Sequence, residues 1–359
     1  MSATNRWAGQ DSDDVARELE DAGEGDGLPV VVPTRQRVGA LLAADGLSGA
    51  EGLGRMPPLG PETTAEAVAV QAVIAGCRPG HMAVLLAAIR GIQDPSFNAL
   101  GVFTTTGSAA CAVIVNGPAA RRLGFNGGHN CLGPGNRSNA AVGRALALVL
   151  RNLGRAIPGV SDMSTMGQPG KYTFCFSENE ADSPWEPLHV ERGMAADAST
   201  VTVHAAAGTN EVVNSFERDS NEVLDSLAMA LAAPFSVGRA DDVVTVGGGQ
   251  PMVLMSPEWA VMCARDGLSK AQVKQELWRR ARWPVDRLPE RLREEVVAQR
   301  RRRGESIDAA LPISATPEHV LVVVAGGVGV KQTLVPGWNG GSRAVTVAIE
   351  SGGAAAADR

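Results

Sequence analysis

The chain has 359 residues, room for one large domain or two packed ones. Its net charge of −6 excludes a generally basic nucleic-acid binder, and apolar runs such as 82–89 are too short to cross a bilayer. With aromatics at only 4%, the core has to be built from Ala, Val and Leu.

The first 27 residues are acidic and lack the apolar centre of a secretory leader, so they are expected to form a mobile, disordered arm on a cytoplasmic protein. A Thr63-x-x-Glu66 box predicts a helix ending at Gly76. After Cys77-Arg78-Pro79, the stripe Met82, Leu85, Leu86 and Ile89 predicts a second helix. Ala112–Val115 reads as a short buried strand that stops at Asn116-Gly117-Pro118. A third helix is expected after Ser138, with Val142, Leu146, Val149 and Leu153 on one face. Strands are predicted at 172–176, 201–205, 243–246 and 320–325. Between them Ser220, Ser256-Pro257 and the pair Ser269/Gln272 open helices. Residues 351–359 read as a frayed tail.

Strands spaced by helices predict an α/β protein with a mixed or mostly parallel sheet covered on both faces. Two similar-sized lobes, 28–195 and 196–350, are the expected division. Between 274 and 303 there are eleven Lys or Arg against five Asp or Glu, which fits a solvated helical face, the docking surface for an acidic partner, or a homodimer contact.

The densest chemistry lies in the glycine- and asparagine-rich stretch 116–139. Amides of Gly127 and Gly128, with Asn126, Asn136 and a helix start behind them, could hold an anion that Arg137 grips. The same composition also suits a purely structural loop. His129 and Cys131 form an H-x-C pair, either a thiolate activated by the imidazole or a metal, or an incidental placement, since side chains at i and i+2 seldom aim at one point. Cys77, just ahead of a helix, is placed for a lowered pKa, while a small buried packing role suits a cysteine there equally. The other rich stretch, 167–193, brings Lys171, Glu178, Glu180, His189 and Arg192 near one strand end, enough for acid, base and anchor. The strand and Gly-rich turn at 320–330 read as a plain tight turn or as an anion loop, in which Lys331 would be the contact. The sequence carries neither the P-loop nor the dinucleotide glycine pattern, so no nucleotide or nicotinamide cofactor is expected. The five histidines lack metal-ligand spacing, and five scattered cysteines without a CxxC pair fit reduced thiols.

AGCRP around Cys77, VNGP at 115–118, GPGNRSN at 133–139, the block 170–193 and VVVAGG at 322–327 resemble a bacterial family associated with small thiol or selenol proteins bearing a UGSC motif. The resemblance runs from about Pro29 to Ile349. It implies a link to sulfur or selenium chemistry, with Cys77 and the acids of 178–192 at matching positions, and lends no reaction. His129 and Cys131 depart from the plainer loop of that family.

Together these features predict a homo-oligomeric enzyme acting on a small carboxylate- or phosphate-bearing metabolite, by lyase or thiol-dependent transfer chemistry. An accessory subunit that docks a small redox protein is the alternative.

Overall fold

A computed structural model of the chain describes residues 10–213, 215–233, 237–240 and 243–350. Two compact units emerge, each discontinuous in sequence. The first is drawn from residues up to Glu180, Pro187–Ala205 and Ala344 onward, and the second from Ala181–Glu186 and Ala206–Arg343.

In the first unit the chain runs α1 (Ser12–Asp21), α2 (Arg35–Ala44), β1 (Gly52–Arg55), β2 (Glu62–Thr64), α3 (Ala65–Ile74), α4 (His81–Gln93) and α5 (Ala99–Thr104). It continues through β3 (Ala110–Asn116), α6 (Pro118–Arg122), α7 (Arg137–Leu148), β4 (Cys175–Ser177), α8 (Leu188–Glu191) and β5 (Thr200–Ala206). The second unit holds β6 (Asn210–Val213), α9 (Ser220–Leu231), β7 (Val237–Ala240), β8 (Val243–Val246), β9 (Met252–Met255), α10 (Pro257–Arg265) and α11 (Lys270–Arg280). There follow β10 (Arg282–Trp283), α12 (Glu290–Arg303), β11 (Leu311–Pro312), β12 (Leu321–Val324) and β13 (Lys331–Val335), after which β14 (Val345–Ala348) returns to the first unit.

The protein is α/β with mixed sheets. In the first unit the strand order is β14-β5-β3-β4, with β3 and β4 parallel (Val113 opposite Cys175) and β14 antiparallel to β5. In the second it is β12-β9-β13-β6, with only β12 and β9 parallel. Links such as 325–330 are too short for the crossover that a wholly parallel sheet demands.

Apolar β-branched residues, Val113, Ile114, Val115, Val201 and Val203, fill the buried strands of the first unit. α4 lies on this sheet with Met82, Leu85 and Ile89 buried as their spacing predicts. A side chain at Gly91 would reach within 2.8 Å of Val203 Cγ2, so the glycine sets how closely helix and strand approach.

The N-terminal arm expected to be disordered is helical over Ser12–Asp21, while residues 1–9 lie outside the described residues. Asp11 caps the helix by accepting from the amides of Asp13 and Asp14, and Val15 and Leu19, one turn apart, are buried. The strand predicted at 172–176 begins only at Cys175, because a 3₁₀ turn at Pro169–Lys171 carries the chain outward and leaves Tyr172 53% exposed. The predicted tail at 351–359 also lies outside the described residues.

Much of the basic stretch of the second unit is engaged by its own neighbours. Arg279 and Arg280 pair with Glu276 at 2.7 and 2.9 Å, and Arg280 reaches Asp225 at 2.9 Å. The Arg282 guanidinium lies 3.9 Å from the Trp278 ring centroid, and buried Arg300 donates to the carbonyls of Ile307 and Ala309.

Candidate active site at the ends of two parallel strands

The run of apolar residues in β3 ends in Asn116, whose side chain is fully buried. The next residue, Gly117, has φ 81°, and a Cβ there would lie 2.1 Å from the Ala198 carbonyl oxygen, so only glycine fits. Pro118 then opens α6. Beside it β4 ends at Ser177 and releases Glu178-Asn179-Glu180 from the same edge, the C-terminal end of a parallel pair where α/β ligand sites form.

Asn116 joins the two acids. Its Nδ2 donates to Glu178 Oε2 at 2.6 Å and to Glu180 Oε1 at 3.0 Å. Glu180 Oε1 also accepts from the Gly117 amide at 2.6 Å, and Glu178 Oε2 from the Leu188 amide at 2.7 Å. Arg121 on α6 pairs with Glu180, its Nη1 3.5 Å from Glu180 Oε2 and its side chain 70% exposed. Two carboxylates on one amide, one of them beside a loosely held surface cation, are placed to accept and return protons. His189 follows Leu188 with its side chain wholly buried. Neither its ring nitrogens nor Asn116 Oδ1 has a hydrogen-bond partner among the described residues.

The glycine-rich loop adjoins this strand end. The Asn126 carbonyl accepts from the Ser177 amide at 3.1 Å, and a Cβ on Gly127 would lie 2.4 Å from the Ser177 carbonyl oxygen. The asparagines brace the loop. Asn126 Oδ1 accepts from the Gly128 amide and its Nδ2 donates to the His129 carbonyl, both at 2.9 Å. Asn139 bonds both backbone groups of Asn126 and the Cys131 carbonyl. Asn136 caps α7 and donates to the Gly124 carbonyl at 2.8 Å. The Gly128 amide, expected to cradle an anion, is therefore turned inward. His129 is exposed while Cys131 is buried, so the two residues of the H-x-C pair face different surroundings.

His81, the first residue of α4, buttresses this loop. Its Nδ1 accepts from the Arg78 amide at 3.2 Å, which leaves the proton on Nε2, 3.3 Å from Ser138 Oγ; Ser138 in turn donates to the Leu123 carbonyl at 2.6 Å. Burial, reinforced by the charges of Arg78 and Arg137, pushes the His81 pKa down to about 4.

The remaining predicted residues lie elsewhere. Arg137 and Cys77 line a cavity of about 210 Å³ together with Arg37. Burial pushes the Cys77 thiol up to about 12, opposite to the lowering expected from the following helix, because the thiol sits four residues before α4 and 3.5 Å from the Ala141 carbonyl. Burial also pushes Cys111 to about 12 and Cys263 to about 11, and raises Cys175 well above the ordinary thiol range. Lys171 pairs with Asp162 at 2.6 Å at another cavity. Arg192 donates to the Ala344 carbonyl and Thr346 Oγ1, both at 2.6 Å, and so fastens β14. Lys331 belongs to the second unit, where it donates to Ser215 Oγ at 2.6 Å.

Sequence reasoning missed Asn116, Arg121 and His81. A polar residue closing an apolar strand ahead of Gly-Pro was the available signal for Asn116; the other two gave none. Among the described residues no group of three or more His, Cys, Asp or Glu could hold a metal ion. No family model matches the chain, and no curated protein or solved structure matches it either.

Proposed function

We propose that this chain is an enzyme that moves a proton on a small metabolite bearing a carboxylate or phosphate, in a reaction of lyase type. The observation that carries the reading is the pair of carboxylates, Glu178 and Glu180, on the single amide of Asn116 at the end of two parallel strands. Glu180 is the proton carrier. Its side chain keeps 16% of its exposure and, among the described residues, its Oε2 meets only the exposed Arg121, whereas Glu178 is 5% exposed. Arg121 grips the substrate anion, since it can leave a 3.5 Å contact at little cost. Asn116 and Glu178 position Glu180. Four thiols pushed upward by burial favour proton chemistry over transfer through a standing thiolate.

Hydrogen–deuterium exchange in D2O across a panel of small hydroxy acids, keto acids and their phosphate esters tests this reading by NMR. Glu180→Gln is expected to lower exchange on the responding compound by ~10²-fold or more, and Arg121→Ala to raise KM more than it lowers kcat. Silence across the panel, or exchange undiminished in Glu180→Gln, removes the proposal.

A further inference from the structure

β3 has a second end. Its first residues, with Gly170–Tyr172 and the later half of α7, enclose a cavity of about 240 Å³, six residues and about 20 Å along the strand from Asn116. The walls are mainly apolar: Phe103, Ala109, Leu146, Ala147, Leu150 and Pro158. Pro158 and Tyr172 are exposed at the mouth.

The charged groups of the lining settle the polarity of an occupant. Lys171 and Asp162 neutralise each other, and Lys171 also donates to Ser164 Oγ at 2.5 Å. Asp26 has both oxygens on Arg144, at 2.7 and 2.8 Å. Arg151 alone is unbalanced. It donates from Nη2 to the Gly23 carbonyl at 3.0 Å, while its Nε is buried with no acceptor among the described residues, and it makes no ion pair there. Arg151 is thus the charged group of the lining without a counter-ion among the described residues.

We propose that this cavity is a second ligand site, separate from the strand-end carboxylates, for a small and mostly apolar carboxylic acid. An engineered protein cavity of about 150 Å³ accepts benzene, so 240 Å³ accommodates a ring or branched chain with a short acid arm. The apolar body occupies the wall of α7, and the carboxylate pairs with the Arg151 guanidinium. Neutral analogues of the same shape keep the apolar contact and lose the charge-assisted bond.

Calorimetric titration of the full chain with 3-phenylpropionate and 4-methylpentanoate, against the amides of both acids, tests the proposal. At least one acid is expected to bind saturably below millimolar and ten-fold or more tighter than its amide. Ala147→Phe, which fills the cavity from the partly exposed side of α7, abolishes acid binding. Arg151→Gln brings the acid down to its amide while the amide is unchanged, a readout that stands if Ala147→Phe fails to fold. Glu180→Gln leaves every titration as in the parent, so this site and the proposed active site fail separately. No saturable binding of either acid, equal binding of acid and amide, or acid binding that survives Ala147→Phe in a folded protein overturns it.

Discussion

Lowering the pH probes the buttress under the glycine-rich loop. An unfolded chain protonates His81 near pH 6.5, whereas in the folded protein the group resists until about pH 4. Between those values the unfolded state binds the extra proton, so stability falls as pH falls, and the contribution is fully present only above about pH 6.5. The whole gap is worth about 3 kcal/mol at 1.36 kcal/mol per unit, and about 2 kcal/mol of it is gone by pH 5. Tryptophan fluorescence is the wrong probe, since the five tryptophans among the described residues, Trp185, Trp259, Trp278, Trp283 and Trp338, all lie in the second unit. Amide hydrogen exchange in α4 and α7 is the right one, because both helices carry the His81–Ser138 contact. Protection there should fall by about 2 kcal/mol between pH 7 and pH 5. His81→Gln, less stable at pH 7, should lose that slope. Parallel pH profiles for the parent and His81→Gln would refute the argument.

Further outcomes follow from single contacts. Gly127→Ala drives a methyl against the Ser177 carbonyl and should cost about 1–3 kcal/mol in urea unfolding followed by circular dichroism. Asn116→Leu removes the donor shared by Glu178 and Glu180, and the buried carboxylate left behind should cost about 3 kcal/mol, with partial recovery in Asn116→Leu/Glu178→Gln. With its thiol near 12, Cys77 should react with iodoacetamide at pH 7.5 on the order of a hundred-fold more slowly than an ordinary free thiol, as peptide mapping would register. Arg144→Ala breaks the paired bonds to Asp26 and should speed proteolysis near residues 22–30, a change that leaves cutting in the second unit untouched.

Periodicity and punctuation made the helices legible. The stripe on α4, the Ser256-Pro257 start of α10 and the Ser269/Gln272 capping box of α11 stand where the residues place them. Caps slip by a residue or two where neighbours compete: Thr64, Asn136 and Asp219 hold the amides expected of Thr63, Ser138 and Ser220. Helix α1 was hidden because its charge density suggests disorder, while two buried apolar residues and one cap suffice to hold it. The juxtaposition of Gly127 with Ser177–Glu178 was foreseeable only as a bet that two polar stretches meet, since pairing of β3 with β4 is a long-range event. The loop asparagines looked like ligand contacts because composition cannot tell a brace from a binding group. The direction of the Cys77 shift depended on how much protein covers the thiol, which local sequence does not encode.

The last strand of the first unit comes from the far end of the chain, since β14 pairs with β5 about 140 residues after β5 has been made. On a ribosome adding ~5–20 residues per second, β5 waits roughly 7–30 s as a bare edge. During that interval Thr200–Ala206 offers an apolar template for misassembly with other nascent copies, and shielding by a chaperone would matter most there.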